Sequence, residues 1–291
     1  MKIIVGMAAY NEEKNIASLI AQLQKFPYSI IVCNDGSSDM TGEIAERMGV
    51  MVINHKRNLG FGAALRSIFE RANELNADVL VTMDADGQHN PQEIKDILEP
   101  IEHDKADVVI GSRFSGKTSE IPKYRILGIK AINRLITSTS ENKLVDPLSG
   151  FRAYTKKILK EILPADSGMG GSTEVLIKAN QKKFRIIEVP IIVSYEGETS
   201  THNPVNQSFS LIFSTMKFIS IERPLTFYGI PGIALLIVGL FFIVWTIQEF
   251  ANTREVFLDL SILGIGATLM GTILMVTAIL LYTLVTVVRE R

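Results

Sequence analysis

Two long segments near the end of the chain contain no charged residue, and they constrain the fold more than any other feature. The first covers 23 residues at 225–247, and the second covers 29 residues at 260–288. A helix needs about 20 apolar residues to cross the hydrocarbon core of a bilayer, so both segments are long enough. Buried helices of a soluble core are the alternative, but they rarely lack charge over such a length. The sequence therefore predicts a transmembrane hairpin within 225–291.

The residues that flank the two segments predict the orientation of this hairpin. The connector at 248–259 is net acidic, whereas Lys217 and Arg223 precede the first segment and Arg289 follows the second. By the positive-inside tendency, both termini and the preceding domain at 1–205 are expected in the cytoplasm, on a multi-pass protein of the cell membrane.

The segment at 206–224 joins this domain to the hairpin. It places apolar residues at helical spacing, namely Phe209, Ile212, Phe213, Met216 and Ile219. This pattern predicts an amphipathic helix at the membrane surface, with a packed surface helix as the alternative.

Composition excludes several classes of protein. Hydrophobic residues make up 47% of the chain and charged residues 21%, which is too apolar for a disordered protein. The formal net charge is −1, so bulk electrostatics do not predict nucleic acid as a partner. Cys33 is the one cysteine, which excludes an intramolecular disulfide and a multi-cysteine metal site.

Short apolar segments alternate with helical patterns over the first half of the chain. The predicted strands are Ile3–Gly6, Ser29–Asn34, Val50–Asn54, Val79–Met83 and Val108–Gly111. Helical spacing of apolar residues lies between them, as at Ile16–Leu23 and Ala63–Leu75, and Asn90-Pro91 is typical of a helix start. Strands that are apolar on both faces predict an α/β domain with a mostly parallel sheet. Such sheets bind ligands beyond the carboxyl ends of their strands.

Polar residues follow each predicted strand, and one pair among them indicates a metal. Asp84 and Asp86 flank a single alanine at a strand end, and their mutual repulsion is usually relieved by a hard divalent cation. Mg²⁺ or Mn²⁺ takes few carboxylates and shares substrate phosphates, so a nucleoside diphosphate is the implied ligand. Gln88 supplies a further oxygen, whereas His89 is expected to be structural in an oxygen-based site.

These motifs resemble the inverting family 2 glycosyltransferases of GT-A fold. Within that family the resemblance is to dolichol-phosphate mannose synthases and related polyprenyl-phosphate glycosyltransferases, and it covers about 1–195. The segments that carry it are Ala-Tyr-Asn-Glu-Glu (9–13), Asn-Asp-Gly-Ser-Ser-Asp (34–39), Asn-Leu-Gly-Phe-Gly-Ala-Ala (58–64), Asp-Ala-Asp-Gly-Gln-His (84–89), Gly-Ser-Arg (111–113) and Asp-Pro-Leu-Ser-Gly-Phe-Arg (146–152).

The resemblance implies a role for each matched residue. Residues that would contact the donor nucleotide are Ala8, Tyr10, Glu12, Asp35, Asp84 and Ala85. The metal would be held by Asp84, Asp86 and Gln88. The acceptor phosphate would be bound by Arg113, Arg125 and Ser149, and the catalytic set would be Asp86, Arg113 and Asp146. The implied reaction moves one sugar from a nucleotide sugar of the GDP-mannose or UDP-glucose type to a polyprenyl phosphate.

The acceptor's chemistry bears on the role of Asp146. An alcohol acceptor needs a general base, but a phosphate monoester is already ionised near pH 7, with a second pKa of about 6. We therefore expect charge neutralisation and positioning to matter more than proton abstraction. Asp146 either acts as a base or orients an arginine or the lipid phosphate, and the sequence leaves both open.

The chain departs from the family's pattern after the sheet. Glu196 and Glu198 stand where many relatives have basic residues that close over the donor. Arg152 and His202 are expected at the surface or in structural roles rather than as substitutes. Glu174 is predicted to be a carboxylate at a helix start, with a role in the site as the alternative.

Two other functions remain open at this point. A processive polysaccharide synthase would carry a Gln-x-x-Arg-Trp motif, but Trp245 is the one tryptophan and it lies inside the first apolar segment. A nucleotide-sugar-binding membrane protein without turnover is the non-enzymatic alternative. The sequence does not fix the sugar or the oligomeric state, and a homo-oligomer stays open.

Overall fold

The computed structural model describes residues 1–113, 144–168, 170–192, 220, 224–255 and 257–289. The chain divides into two compact units, Met1–Thr215 and Met216–Arg291. Several predictions fall outside the described residues: those on Arg125, on Glu196, Glu198 and His202, and on the helix at 206–224 apart from residues 220 and 224.

In its described part, the first unit contains a mostly parallel sheet of seven strands. They are β1 (Ile3–Ala9), β2 (Ser29–Asn34), β3 (Met51–Asn54), β4 (Val79–Asp84), β5 (Val108–Ser112), β6 (Arg152–Thr155) and β7 (Ile186–Pro190). Their order is β3-β2-β1-β4-β6-β5-β7. The five predicted strands are confirmed, and β1 runs on to Ala9 because Ala8 and Ala9 pair with Cys33 and Asn34 of β2.

Helices cover both faces of this sheet. They are α1 (Ile16–Leu23), α2 (Thr41–Arg47), α3 (Phe61–Glu74), α4 (Ile94–Glu102), α5 (Lys156–Glu161) and α6 (Gly171–Gln181). Apolar side chains of α1 and α4 fill the core layer on one face, and those of α3, α5 and α6 fill the other. In β1, Ile4 belongs to one layer and Val5 and Met7 to the other. This is why the strand is apolar on both faces.

The helix predicted to start at Asn90-Pro91 begins later than expected. Asn90 does act as a cap, because its side-chain oxygen accepts the backbone N–H of Gln92 at 3.0 Å. The first turn, Pro91–Glu93, is a 3₁₀ turn, and the α-helix starts at Ile94. Such tighter turns are frequent at helix N-termini.

Strand β6 was not predicted, and it runs antiparallel between β4 and β5. Its first residue, Arg152, pairs with Thr82 of β4 and Ile110 of β5. Because β6 runs in the opposite direction, its amino end lies at the edge where its neighbours have their carboxyl ends. The segment at 146–151 is therefore delivered to the ligand-binding edge of the sheet.

Where the structure describes it, the second unit contains two long apolar helices, α7 (Ile230–Thr253) and α8 (Leu258–Arg289), and a π-helical turn at Leu225–Gly229 precedes α7. Leu225–Thr253 has a mean hydropathy of 2.5 and Leu258–Val285 of 2.1, and both are long enough to cross a membrane. The connector is shorter than the predicted 248–259, since α7 continues through these polar residues until Arg254 adopts a left-handed conformation.

Glycines allow the backbones of α7 and α8 to approach closely. A Cβ added at Gly239 would lie 2.7 Å from the backbone nitrogen of Thr268, and one at Gly271 would lie 2.9 Å from the carbonyl oxygen of Gly232. Small residues at such crossings are the usual means of close helix contact in membranes. Gly271 thus has a packing role between the two helices.

A second glycine contact joins α3 to the loop before α6 within the first unit. The backbone N–H groups of Gly62 and Ala63 donate to the carbonyl oxygen of Ser167, at 3.0 and 3.3 Å. A Cβ at Gly62 would lie 2.6 Å from the carbonyl oxygen of Gly168 and closer still to that of Asp166. Both obstacles are backbone atoms, so neither can rotate away.

We expect Gly62→Ala to lower the free energy of unfolding by about 3 kcal/mol, because overpacking against backbone cannot be relieved by a rotamer change. Gly49→Ala is the matched control. Gly49 has a φ of +75° with nothing within 4 Å of an added Cβ, so only backbone strain of about 1 kcal/mol applies. Thermal unfolding of the full chain in detergent measures both. A Gly62→Ala midpoint equal to or above that of Gly49→Ala would contradict the packing argument.

Candidate active site

The polar segments that follow the parallel strands lie along one edge of the sheet. At this edge Ala8 is in register with Cys33 of β2 on one side and with Asp84 of β4 on the other. The predicted donor-binding segment after β1 therefore lies directly beside the predicted metal-binding segment after β4. The two segments come together because β1 and β4 are paired neighbours, although Ala8 and its partner Asp84 are 76 positions apart in the sequence.

Hydrogen bonds hold the segment after β1 against the segment after β2. The backbone N–H of Asn11 donates to Oγ of Ser37 at 3.0 Å, and that of Glu12 donates to Oγ1 of Thr41 at 2.8 Å. Tyr10 and Glu12 are both half-buried. Their backbone is thus fixed by the chain itself, and their side chains lie at the edge of the sheet where the sequence predicted a nucleotide.

Asp35 is buried, with 3% of its surface exposed, and its carboxylate organises the neighbouring loop. Its Oδ1 pairs with Nδ1 of His55 at 2.7 Å and accepts the backbone N–H of Leu59 at 3.0 Å. Its Oδ2 accepts the backbone N–H of Gly60 at 2.8 Å. Asp35 therefore joins the end of β2 to the 58–60 loop.

Asp84 and Asp86 differ in their electrostatic environment. Burial by itself raises the pKa of Asp84, but a hydrogen bond from His89 and the positive charges of Arg113 and Arg152 lower it overall. Burial, and after it the negative charge of Asp84, raises the pKa of Asp86 to about 7. The side chain of Asp84 stays 38% exposed, so its carboxylate is accessible from the edge of the sheet.

This pair suits a hard divalent cation that shares its ligands with a substrate. Two adjacent carboxylates repel each other, and the raised pKa of Asp86 is the result of that repulsion together with burial. No group of three acidic, histidine or cysteine side chains able to hold a metal occurs among the described residues. A cation here would need further oxygens from a substrate, as Mg²⁺ and Mn²⁺ commonly do.

Gln88, Ala85 and His89 complete the segment after β4. The backbone N–H of Gln88 donates to Oδ1 of Asp86 at 3.0 Å, and Ala85 is buried. His89 is buried with its ring 5.0 Å from that of Phe151, and its Nε2 lies 3.4 Å from Oδ2 of Asp84. Nδ1 of His89 has no hydrogen-bond partner in the described part of the chain. The packing supports the structural role predicted for His89.

Gly150 lies directly against the carboxylate of Asp84. A Cβ at this position would lie 2.7 Å from Oδ2 of Asp84 and closer still to Oδ1. The carbonyl oxygen of Gly150 accepts a hydrogen bond from Oγ1 of Thr82 at 2.9 Å, which holds the glycine to β4. The orientation of the Asp84 carboxylate thus depends on a residue whose function its position in the sequence did not indicate.

Arg113 and Asp146 form a two-pronged ion pair at the end of β5. Nε of Arg113 donates to Oδ2 of Asp146 at 2.6 Å, and Nη2 donates to Oδ1 at 2.6 Å. The backbone N–H of Arg113 also donates to Oδ2, at 3.0 Å. Asp146 is fully buried, whereas the side chain of Arg113 keeps 18% of its surface exposed. Asp146 therefore orients the guanidinium, which is the more accessible partner.

A half-buried glutamate and a buried arginine hold the segment that carries Asp146. Glu188 of β7 accepts the backbone N–H groups of Val145 and Asp146, at 2.8 and 2.6 Å. Arg152 is fully buried and donates to the carbonyl oxygens of Pro147 and Ser149, each at 2.7 Å. Arg152 is thus structural, as predicted. Glu188 was not predicted, although a single charge within the apolar segment Ile-Ile-Glu-Val-Pro was a usable signal.

Ser149 and Glu174 are both buried. Oγ of Ser149 accepts the backbone N–H of Phe151 at 3.3 Å, so this hydroxyl supports the turn before β6. Glu174 lies in the first turn of α6 and accepts the backbone N–H groups of Ala165 and Asp166, at 2.9 and 2.8 Å. The prediction of a helix-start carboxylate at Glu174 is confirmed.

Several curated proteins resemble this chain in sequence. A UDP-N-acetylglucosamine–dolichyl-phosphate N-acetylglucosaminyltransferase of Methanococcus voltae is 34% identical over 210 residues, which cover 64% of this chain and 83% of that protein. A dolichol-phosphate mannosyltransferase of Pyrococcus furiosus is 29% identical over 272 residues, which cover 88% of this chain and 75% of that protein.

The fold and the family are shown by two further comparisons. Glucosyl-3-phosphoglycerate synthase of Mycobacterium tuberculosis, solved with Mn²⁺, UDP and phosphoglyceric acid, superposes with a TM-score of 0.59 at 20% identity, covering 74% of this chain and 78% of that one. The shared fold is GT-A. The sequence model of glycosyl transferase family 2 matches residues 4–163, more than half of the chain. The chain is therefore a glycosyltransferase, and it belongs to glycosyl transferase family 2.

Proposed function

We propose that this enzyme transfers a single sugar, with inversion, from a nucleoside-diphosphate sugar to a polyprenyl phosphate. The observation that carries the proposal is the juxtaposition of a carboxylate pair at the end of β4 with an oriented guanidinium at the end of β5. The pKa of Asp84 is lowered first by its hydrogen bond from His89, and the positive charge of Arg113 contributes to the same decrease. A cation held by the first group and a phosphate bound by the second would therefore lie close to each other.

The donor is proposed to bind where β1, β2 and β4 end. The nucleoside would be contacted by Tyr10, by Glu12 and by the segment around Asp35. Ala8 and Ala85 would line the same edge of the sheet. The diphosphate would reach the Asp84 carboxylate, which is accessible.

Asp84 and Asp86, with Gln88, are the proposed ligands for Mg²⁺ or Mn²⁺. The cation would neutralise the charge that develops on the departing nucleoside diphosphate. The protein itself holds the carboxylates of Asp84 and Asp86 close together at the carboxyl end of β4. The M. tuberculosis structure was solved with Mn²⁺ and UDP, which supports a divalent cation on this fold.

The acceptor phosphate is proposed to bind the guanidinium of Arg113, with Arg125 and Ser149 as further contacts. Guanidinium groups recognise phosphate through paired hydrogen bonds, and their charge reduces repulsion between the acceptor and the donor. A phosphate oxygen would attack the anomeric carbon as the bond from that carbon to the nucleoside diphosphate breaks on the opposite face. The names of the two curated relatives specify dolichyl phosphate and dolichol phosphate, which supports a polyprenyl acceptor.

Asp146 is proposed to orient Arg113 rather than to act as a base. Both of its carboxylate oxygens are engaged by Arg113, and the residue is fully buried. A lipid phosphate is ionised already near pH 7, so no proton needs to be removed. The two apolar helices would hold the enzyme at the membrane that contains this lipid, with both termini in the cytoplasm.

We expect a lipid-linked product when the purified full chain is incubated with a short-chain polyprenyl phosphate, Mg²⁺ or Mn²⁺ and GDP-mannose, UDP-glucose or UDP-N-acetylglucosamine. Mass analysis of the lipid fraction identifies the product, and a mass increase of one hexose or one N-acetylhexosamine identifies the sugar. EDTA is expected to abolish the reaction and excess Mg²⁺ to restore it. Nucleotide-sugar binding without any lipid product would favour the non-catalytic alternative, and products with many sugars would favour a processive synthase.

We expect Asp146→Asn to raise the KM for polyprenyl phosphate by about 10-fold or more, because an amide cannot accept from both prongs of the guanidinium. The pH–rate profile should keep an acidic limb near pH 6, since that limb belongs to the lipid phosphate. A variant that binds both substrates normally, loses most of kcat and loses the acidic limb would show instead that Asp146 is a base.

We expect Gly150→Ala to weaken metal and donor binding about 10- to 100-fold, because the added carbon displaces the Asp84 carboxylate. Calorimetric titration of Mn²⁺ with UDP measures this affinity without turnover. Gly49→Ala, whose added carbon meets nothing, is the control. Unchanged affinity in the folded Gly150→Ala variant would show that Asp84 does not hold the metal or that Gly150 does not position it.

A further inference from the structure

Glu188 lies on β7, the strand at one edge of the sheet, and each of its two carboxylate oxygens accepts a backbone N–H group. Oε1 accepts the backbone N–H of Asp146 at 2.6 Å, and Oε2 accepts that of Val145 at 2.8 Å. One carboxylate thus spans two successive peptide groups, 42 and 43 residues away in sequence. This fixes both the position and the rotation of the peptide that carries Asp146.

The contacts continue from Asp146 to Arg113. The carboxylate of Asp146 accepts hydrogen bonds from Nε and Nη2 of Arg113, each at 2.6 Å. The side chain of Asp146 has no exposed surface. Glu188 and Arg113 belong to β7 and to the end of β5, which are paired strands, with Ile110 in register with Glu188. The loop segment at 145–146 is therefore held between these two strands, by the Glu188 carboxylate on one side and by Arg113 on the other.

This arrangement places two negative groups near each other, the fully buried Asp146 and the half-buried Glu188. Burial raises the pKa of Glu188, and the charge of Asp146 raises it further, although the two backbone hydrogen bonds oppose the increase. An apolar residue at 188 would avoid this repulsion and would suit the apolar strand. The benefit of a carboxylate is its pair of acceptors, which a neutral side chain of similar size does not provide.

We propose that Glu188 is a positioning residue for the acceptor: it fixes the 145–146 backbone, and thereby the Asp146 carboxylate and the direction of the Arg113 guanidinium toward the acceptor phosphate. The proposal rests on the proposed function, in which Arg113 binds that phosphate. Glu188 contacts neither substrate in this scheme. Its effect is therefore confined to acceptor binding and should leave donor binding unchanged.

The test substitutes Glu188→Gln in the full-length enzyme. Glutamine has nearly the same shape but only one acceptor atom, and its amide group would face the second backbone N–H. We expect the KM for polyprenyl phosphate to rise about 10-fold, with the KM for the nucleotide sugar and the affinity for Mn²⁺ with UDP unchanged. Glu161→Gln is the matched control, because Glu161 is half exposed and binds Lys182 at the surface. It should behave as wild type.

A merely structural role would lower stability and both substrate affinities together, so thermal unfolding is measured on each variant. If Glu188→Gln does not fold, Glu188→Asp keeps the charge and both acceptors on a shorter side chain, and it should show the same acceptor-specific rise. Equal KM values for wild type and a folded Glu188→Gln variant would overturn the proposal. So would equal increases in the KM values for donor and acceptor.

A double-mutant cycle tests whether Glu188 acts through Arg113. In an Arg113→Ala background, Glu188→Gln should change the acceptor KM by less than about 2-fold, because the guanidinium that it positions is gone. A full additional effect there would overturn the proposal. The wild-type reaction distinguishes failure of the proposed function from failure of the role of Glu188. If the wild-type enzyme forms no lipid-linked product, both the proposed function and this role are wrong. A normal product with an inert Glu188→Gln removes the role of Glu188 alone.

Discussion

The buried ion pair between Arg113 and Asp146 is the interaction on which the candidate acceptor site depends. A fully buried carboxylate is costly unless it is paired and hydrogen-bonded, and Asp146 meets that condition with the two-pronged contact and the backbone N–H of Arg113. The side chain of Arg113 keeps 18% of its surface exposed while it makes this contact. The contact therefore compensates the buried charge of Asp146 with a cation that stays partly accessible.

The antiparallel strand β6 makes this contact possible. A parallel strand would have its amino end on the far side of the sheet, and the segment before it would lie away from the ligand-binding edge. Because β6 is inserted between β4 and β5 in the opposite sense, residues 146–151 lie between the carboxyl ends of both neighbours. Gly150 then contacts Asp84, and Asp146 contacts Arg113. One topological feature thus connects the proposed donor and acceptor sites.

Much of the site consists of backbone groups held by charged side chains that are buried or half-buried. Asp35 binds two peptide N–H groups of the 59–60 loop, Glu174 binds two before α6, and Glu188 binds two at 145–146. Arg152 instead donates hydrogen bonds to two backbone carbonyl oxygens, those of Ser149 and Pro147. Loops fixed in this way hold the groups that a substrate would meet without needing a substrate to order them, and this lowers the cost of binding. A single charge in an apolar strand, as at Glu188, is therefore a useful signal for a residue that organises a site.

The sequence by itself determined the parallel α/β class, the five leading strands, the two apolar helices and the Asp84–Asp86 pair, because these follow from local patterns of hydrophobicity and from adjacent residues. It also predicted a phosphate-binding role for Arg113, which stays a prediction. The tertiary structure decided the direction of β6, the pairing of Arg113 with Asp146, and the contacts of Gly150 and Glu188. Those features depend on which strands become neighbours, and neighbours in a sheet are set by the packing of the whole domain rather than by any local stretch of sequence.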